Sequence, residues 1–270
     1  MSKPSGSSSN RILFISHGGG PLPLLGDPGH RELVGTLQQL AGMLEKPSAI
    51  VVISAHWEAG RPTLTSGASP ELIYDYYGFP EESYEIEYPA PGQPELARVI
   101  AGKLNEKGID AELDGQRGFD HGLFVPLKIM YPDADIPCIQ LSLVNSLDPD
   151  EHIRIGEALA EHPDETLLIL GSGFSFHNMR AFFAPASDES RALNASFEQW
   201  LVETCTSPGL DEAERRRRLV DWASAPGARY CHPREEHLLP LHVCYGAAGR
   251  PAEKTIEFEA IGKKASAYLW

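Results

Sequence analysis

The feature that most limits what this chain can fold into is an apolar run ending in serine and then histidine, and it occurs twice. Ile12–Ile15 is followed by Ser16, His17, three glycines and Pro21, and Ala49–Ile53 is followed by Ser54, Ala55, His56 and Trp57. Runs of this length without polar alternation read as strands covered on both faces. The glycines after His17 let the backbone turn sharply and leave room beside the imidazole. Ligand sites of open α/β sheets lie at the carboxyl ends of such strands. If the two strands are neighbours, they bring two imidazoles together, and neutral imidazole is the commonest protein metal ligand. Taken singly, each histidine has a plainer reading, as a loop cap or, for His56, as a core residue beside Trp57.

The rest of the chain fits an α/β domain with a mostly parallel or mixed central sheet flanked by helices. Between the two runs, residues 33, 34, 37, 40, 41 and 44 are apolar at helical spacing, which gives the strand–helix–strand unit of a parallel sheet. Helices are expected over Pro94–Lys107, Pro149–Glu161, Glu189–Thr206 and Leu210–Ala223, and strands over Asp110–Leu113, Pro137–Val144, 255–259 and 266–269. A further strand in Glu165–Asn178 runs through Gly171 and Gly173 to His177, a third apolar run that leads to a histidine. Pro233 suits a first helical turn, which would put Glu236 and His237 early on a helix. Residues 1–10 are Ser- and Gly-rich, without an apolar segment, and read as a flexible tail ahead of one domain over 11–270.

Charge and cysteine content narrow the partners. The net charge of −15 repels phosphate backbones and argues against nucleic acid. The basic run Arg215–Arg218 follows Asp211, Glu212 and Glu214, and reads as a solvated helix face. Cysteines at 138, 205, 231 and 244 have no zinc-ribbon or Cys-x-x-Cys spacing and suit free thiols in a reducing cytoplasm. No window has the run of about 18 apolar residues that a membrane span needs.

Of ten histidines, five sit where an ordered element meets a Gly- or Pro-marked loop: His17, His56, His121, His177 and His237. Asp120 is a candidate N-cap that places His121 at a helix N-terminus, where the dipole favours neutral imidazole. His30, His152 and His162 lie among charged residues and are expected to be solvated, whereas His232 and His242 are ambiguous. A His-rich, thiolate-free set suits zinc, iron or copper, and Glu235 and Glu236 keep a carboxylate ligand open. The long segment 58–92 is rich in tyrosine, glycine and proline. Its aromatics, Tyr76 and Tyr77 among them, either wall a pocket for a flat substrate or pack the loop onto the body.

Several motifs occur together: Ser16-His17-Gly18, Ser54-Ala55-His56-Trp57, Tyr88-Pro89-Ala90-Pro91-Gly92, Gly118-Phe119-Asp120-His121-Gly122, Met130–Pro137, His177-Asn178 and the Pro233, Glu236-His237, Pro240-Leu241 stretch. In this order they resemble the class III extradiol ring-cleavage dioxygenases, in the subgroup related to 4,5-DOPA dioxygenase. The resemblance spans nearly all of the chain from about residue 12 to residue 262.

The resemblance implies one mononuclear metal, Fe(II) or Zn(II), held by His17, His56 and His237. It implies an acid/base role for His177, which is also a possible fourth ligand, and places His121 near substrate oxygen. The activity implied is opening of a catechol-type diol by O2 to a muconic semialdehyde, in a monomer or small homo-oligomer. Two departures stand out. Gly18-Gly19-Gly20-Pro21 replaces a Gly-Ser-Pro loop, and three histidines stand where the wider superfamily often has two and a carboxylate. A zinc hydrolase, with His177 as base to a metal-bound water, and a non-catalytic metal-binding protein are the alternative uses of the same residues.

Overall fold

The computed structural model describes residues 11–160 and 166–270; the expected tail over 1–10 and His162 lie outside them. In chain order the strands are β1 (Arg11–Ser16), β2 (Ala49–Ala59), β3 (Thr63–Thr65), β4 (Glu112–Asp114), β5 (Cys138–Val144), β6 (Leu167–Gly173), β7 (Lys254–Ala260) and β8 (Lys263–Leu269). The helices are α1 (Arg31–Met43), α2 (Pro94–Glu106), α3 (His121–Met130), α4 (Pro149–Leu159), α5 (Met179–Phe183), α6 (Asp188–Thr206), α7 (Glu212–Val220), α8 (Ala228–Cys231) and α9 (Leu239–Ala248).

The strands form one sheet in the order β4-β3-β5-β2-β6-β1-β8-β7. β1, β6, β2 and β5 run parallel at its centre, while β8 pairs antiparallel with β1 and β3 antiparallel with β5. The central strands are buried without alternation, as strands covered by helices on both faces must be. β1 and β2 are not neighbours, because β6 lies between them: Ser16 is in register with Gly173, and Ser54 with Ser172. The ends of the two histidine-bearing strands therefore flank the end of β6.

Two local irregularities aim the site. β2 shifts register against β5 between Ile53 and Glu58, so Ser54 and His56 lie in a bulge, a device that redirects a side chain. A Cβ on Gly173 would meet the His237 carbonyl oxygen at 2.1 Å; only glycine lets that backbone lie against β6, where Phe174 N–H donates to the same carbonyl at 3.0 Å.

The structure corrects two expectations about elements. α9 begins at Leu239, so Glu236 and His237 occupy the turn before it and not its first turns. Arg215 is wholly buried and not part of a solvated face, because its guanidinium donates to the carbonyls of Thr204, Ser207 and Leu210. Arg217 and Arg218 do pair with Glu214 on the same helix, as their spacing predicts, whereas Arg216 pairs with Asp150 and Glu157 of α4. All four cysteines are buried and free, and no described helix is long and apolar enough to cross a membrane.

Candidate active site

Five histidines from five separate segments meet at the carboxyl end of the sheet. His17 follows β1, His56 lies in the β2 bulge, His121 opens α3, His177 lies four residues past β6, and His237 precedes α9. His17 Nε2 and His56 Nε2 stand 2.9 Å apart. Ligand atoms of His17, His56 and His237 all lie within 4.8 Å of one another. The His121 ring centroid is 3.9 Å from that of His56, and the His177 ring stacks on His237 with centroids 3.3 Å apart.

Each ring is oriented from behind. Ser172 Oγ donates to the Gly122 carbonyl, so it accepts from His17 Nδ1 at 3.1 Å and leaves Nε2 with its lone pair facing the site. Glu236 Oε1 accepts from His237 Nδ1 at 3.0 Å and faces His177 Nδ1 at 3.3 Å. Asp75 Oδ1 accepts both the backbone N–H and the Nδ1–H of His121, at 3.0 and 2.8 Å, while its Oδ2 lies 3.7 Å from His56 Nδ1. Arg234 closes the rim by pairing with Glu58 at 2.6 Å and with Glu236 at 3.2 Å.

The electrostatics favour unprotonated imidazoles facing the centre. Burial, together with the like charges that neighbouring histidines would carry, holds His17 and His56 well below the ordinary imidazole value, and His237 falls to about 3 for the same reasons. Burial opposes ionisation of Glu236 and Asp75, yet hydrogen bonds from His177 and His237 to the first, and from His121 to the second, hold both carboxyls below their usual range. Neutral imidazole backed by ionised carboxylate is the protonation state that metal binding requires.

The donor set fits a first-row divalent ion. Imidazole nitrogens bind such an ion at about 2.0–2.1 Å, and the His17 and His56 Nε2 atoms, 2.9 Å apart, are near enough for one ion to reach both. Two further groups could hold an ion: His56 with Asp75 and His121, and His177 with Glu236 and His237. His177 thus shares a group with Glu236, not with His17 and His56.

Other residues fall differently from their sequence reading. His30 and His152 are buried and not solvated: each accepts a backbone N–H through Nε2, from Gly19 at 3.0 Å and from Val144 at 3.1 Å, and each has a local oxygen at Nδ1. His232 and His242 are also buried, against main-chain carbonyls. The glycines after His17 open less space than expected, because Gly18 and Gly19 pack against Pro23, His30 and Ile261. Tyr76 is buried with its ring 5.7 Å from His121, whereas Tyr77 is 92% exposed. Asp75 was not legible in the sequence beyond its place in an aromatic loop.

Residues 24–267 match the family described as the catalytic LigB subunit of aromatic ring-opening dioxygenase. The chain is 41% identical over 96% of its length to dioxygenase tasH of Hapsidospora irregularis, 85% of which is covered. It is 40% identical to the 4,5-DOPA dioxygenase extradiol of Beta vulgaris, with 90% of each chain covered. It is 35% identical to the Escherichia coli protein of the same name, over 94% of this chain and 92% of that one. A crystal structure of an uncharacterized Escherichia coli K12 protein superposes with a TM-score of 0.75 at 31% identity, covering 96% of this chain and 99% of that one.

Proposed function

The chain belongs to the family of the catalytic LigB subunit of aromatic ring-opening dioxygenase and is an extradiol ring-opening enzyme, and from that premise we propose that it converts a catechol-type diol and O2 to a muconic semialdehyde at one divalent metal held by His17, His56 and His237. The observation that carries the proposal is the convergence of these three imidazoles, with the Nε2 atoms of His17 and His56 2.9 Å apart. The relatives named for 4,5-DOPA support a diol of the same chemical class. When bound, Fe(II) supplies open coordination positions and the electron transfer that ring opening by O2 needs, whereas Zn(II) fits the same nitrogens without redox chemistry.

In this reading the remaining residues handle protons and position the ring. Glu236 fixes His177 through Nδ1, which leaves Nε2 to take a proton from one diol hydroxyl and return it after oxygen has been added. His121 gives its Nδ1–H to Asp75, which leaves Nε2 as the ring nitrogen that meets a substrate hydroxyl. Tyr76, packed beside His121, forms part of the wall against which a flat ring lies. Both oxygen atoms of O2 enter the product, so no external reductant is consumed.

The test is reconstitution. Metal-free protein is loaded with Fe(II) and given catechol under oxygen. The proposal expects a yellow ring-opened product with one O2 consumed per catechol. Failure of the iron-loaded protein to open any of a panel of catechols would overturn it.

A further inference from the structure

His17 and His56 have no direct strand ladder between them, since β6 intervenes, and His56 lies where β2 has lost its register with β5. Their spacing must be set by something besides backbone pairing. Behind the site, one buried cluster at the start of α3 touches both.

Asp120 is fully buried. Its carboxylate accepts from Ser54 Oγ at 2.8 Å, Gly122 N–H at 3.0 Å, Arg117 Nη2 at 3.1 Å and the side-chain amide of Gln140. Ser54 Oγ in turn accepts the backbone N–H of His56 at 3.1 Å. On its other side Gly122 accepts, through its carbonyl, from Ser172 Oγ, the hydroxyl that holds His17 Nδ1. A Cβ on Gly122 would stand 2.5 Å from Ser54 Oγ and 3.4 Å from His56 Cδ2, so the hub closes only around a glycine. Arg117 reaches the same side of the site a second time, with its guanidinium 4.4 Å over the ring of Trp57.

We propose that Asp120, acting with Gly122 through Ser54 and Ser172, is the positioning residue that fixes the separation of His17 and His56 while its cap on α3 places His121. Asp120 touches no reacting atom. It matters because an ion held by two histidines on unpaired strands tolerates little drift, and a loosely supported site binds and reacts poorly. The inference rests on the assignment of His17 and His56 as metal ligands.

The experiment measures Zn(II) affinity by competition with a chromophoric chelator, and the visible spectrum of the Co(II)-loaded protein, in wild type, Asp120→Asn, Ser54→Ala, Ser54→Thr and the Asp120→Asn/Ser54→Ala double variant. Circular dichroism selects conditions in which each is folded. Asp120→Asn and Ser54→Ala should each lose about 10- to 100-fold in affinity, the usual cost of removing an outer-shell partner, and shift the Co(II) bands. Because Asp120 acts through Ser54, the double variant should be no more than about threefold weaker than the weaker single variant. Ser54→Thr keeps the hydroxyl and should restore affinity. If Asp120→Asn does not fold, Ser54→Ala and Ser54→Thr decide the matter alone. Wild-type affinity and spectrum in the folded single variants, or losses that multiply in the double variant, would overturn the hub and leave the ligand assignment standing. Wild-type protein that binds neither ion would overturn the ligand assignment itself, and the hub with it.

Discussion

Glu236→Gln is the substitution that most sharply separates orientation from ligation at this site. One oxygen, Oε1, faces both His237 Nδ1 at 3.0 Å and His177 Nδ1 at 3.3 Å, while Oε2 faces Arg234 at 3.2 Å. Glutamine keeps the shape but has a single acceptor oxygen. If that oxygen stays with the imidazoles, the new amide N–H groups face the Arg234 guanidinium, donor against donor; if the amide turns over, they face the two imidazole nitrogens instead. At least one charged hydrogen bond is lost, that to Arg234 in the first case and those to both imidazoles in the second. Bonds to charged groups contribute about 1.5–3 kcal/mol, which at about 1.4 kcal/mol per factor of ten corresponds to a loss of roughly 10- to 150-fold. The loss should divide between the two rings: weaker metal retention through His237, seen by chelator competition, and a lower kcat through His177, seen in product formation at saturating metal. Wild-type metal affinity together with wild-type kcat in the folded variant would refute the claim that Glu236 orients these rings.

Two further outcomes follow from burial and hydrogen bonding. Tyr76→Leu should raise KM for a catechol by about 2- to 13-fold, the scale of about 0.5–1.5 kcal/mol for losing an aromatic contact, whereas Tyr77→Ala, at a position 92% exposed, should leave it near wild type; equal effects at the two positions would place the substrate elsewhere along the loop. For pH, burial lowers the pKa of His152, and its Nε2 accepts the Val144 N–H. Below the unfolded value of about 6.5 the unfolded chain takes up a proton that the folded chain refuses, so stability falls with falling pH until the lowered folded value is reached. Urea midpoints at pH 7.5 and 5.5 should therefore move apart less in His152→Gln than in wild type, and an identical acid shift in the two proteins would refute the assignment.

The five histidines were legible because each lies where an ordered element meets a Gly- or Pro-marked loop, a purely local pattern. The carboxylates behind them were less so. Asp75 lies 46 residues from His121 in the chain, and nothing in Tyr74-Asp-Tyr-Tyr77 marks it apart from other loop acids. His30 and His152 were read as surface residues from their charged neighbours, yet their partners are backbone groups, which composition does not reveal. The sheet order was equally hidden: β1 and β2 bear the clearest motifs, but the strand between them, β6, comes more than a hundred residues later. Arg215 was misread for a related reason, since the carbonyls that accept from it are exposed by the turn after α6, not by any residue type.

The central claim is a division of labour in which His17, His56 and His237 hold the ion and His177 moves the proton. It is tested most directly by metal content and single-turnover ring cleavage on the four alanine variants at these positions, prepared in parallel. The account predicts that His17→Ala, His56→Ala and His237→Ala each lose most of the metal, while His177→Ala keeps it, still binds catechol, and cleaves about 10²- to 10⁴-fold more slowly, as expected for loss of a general acid/base. Metal retained at the wild-type level in the first three, or lost together with activity in His177→Ala, would contradict it.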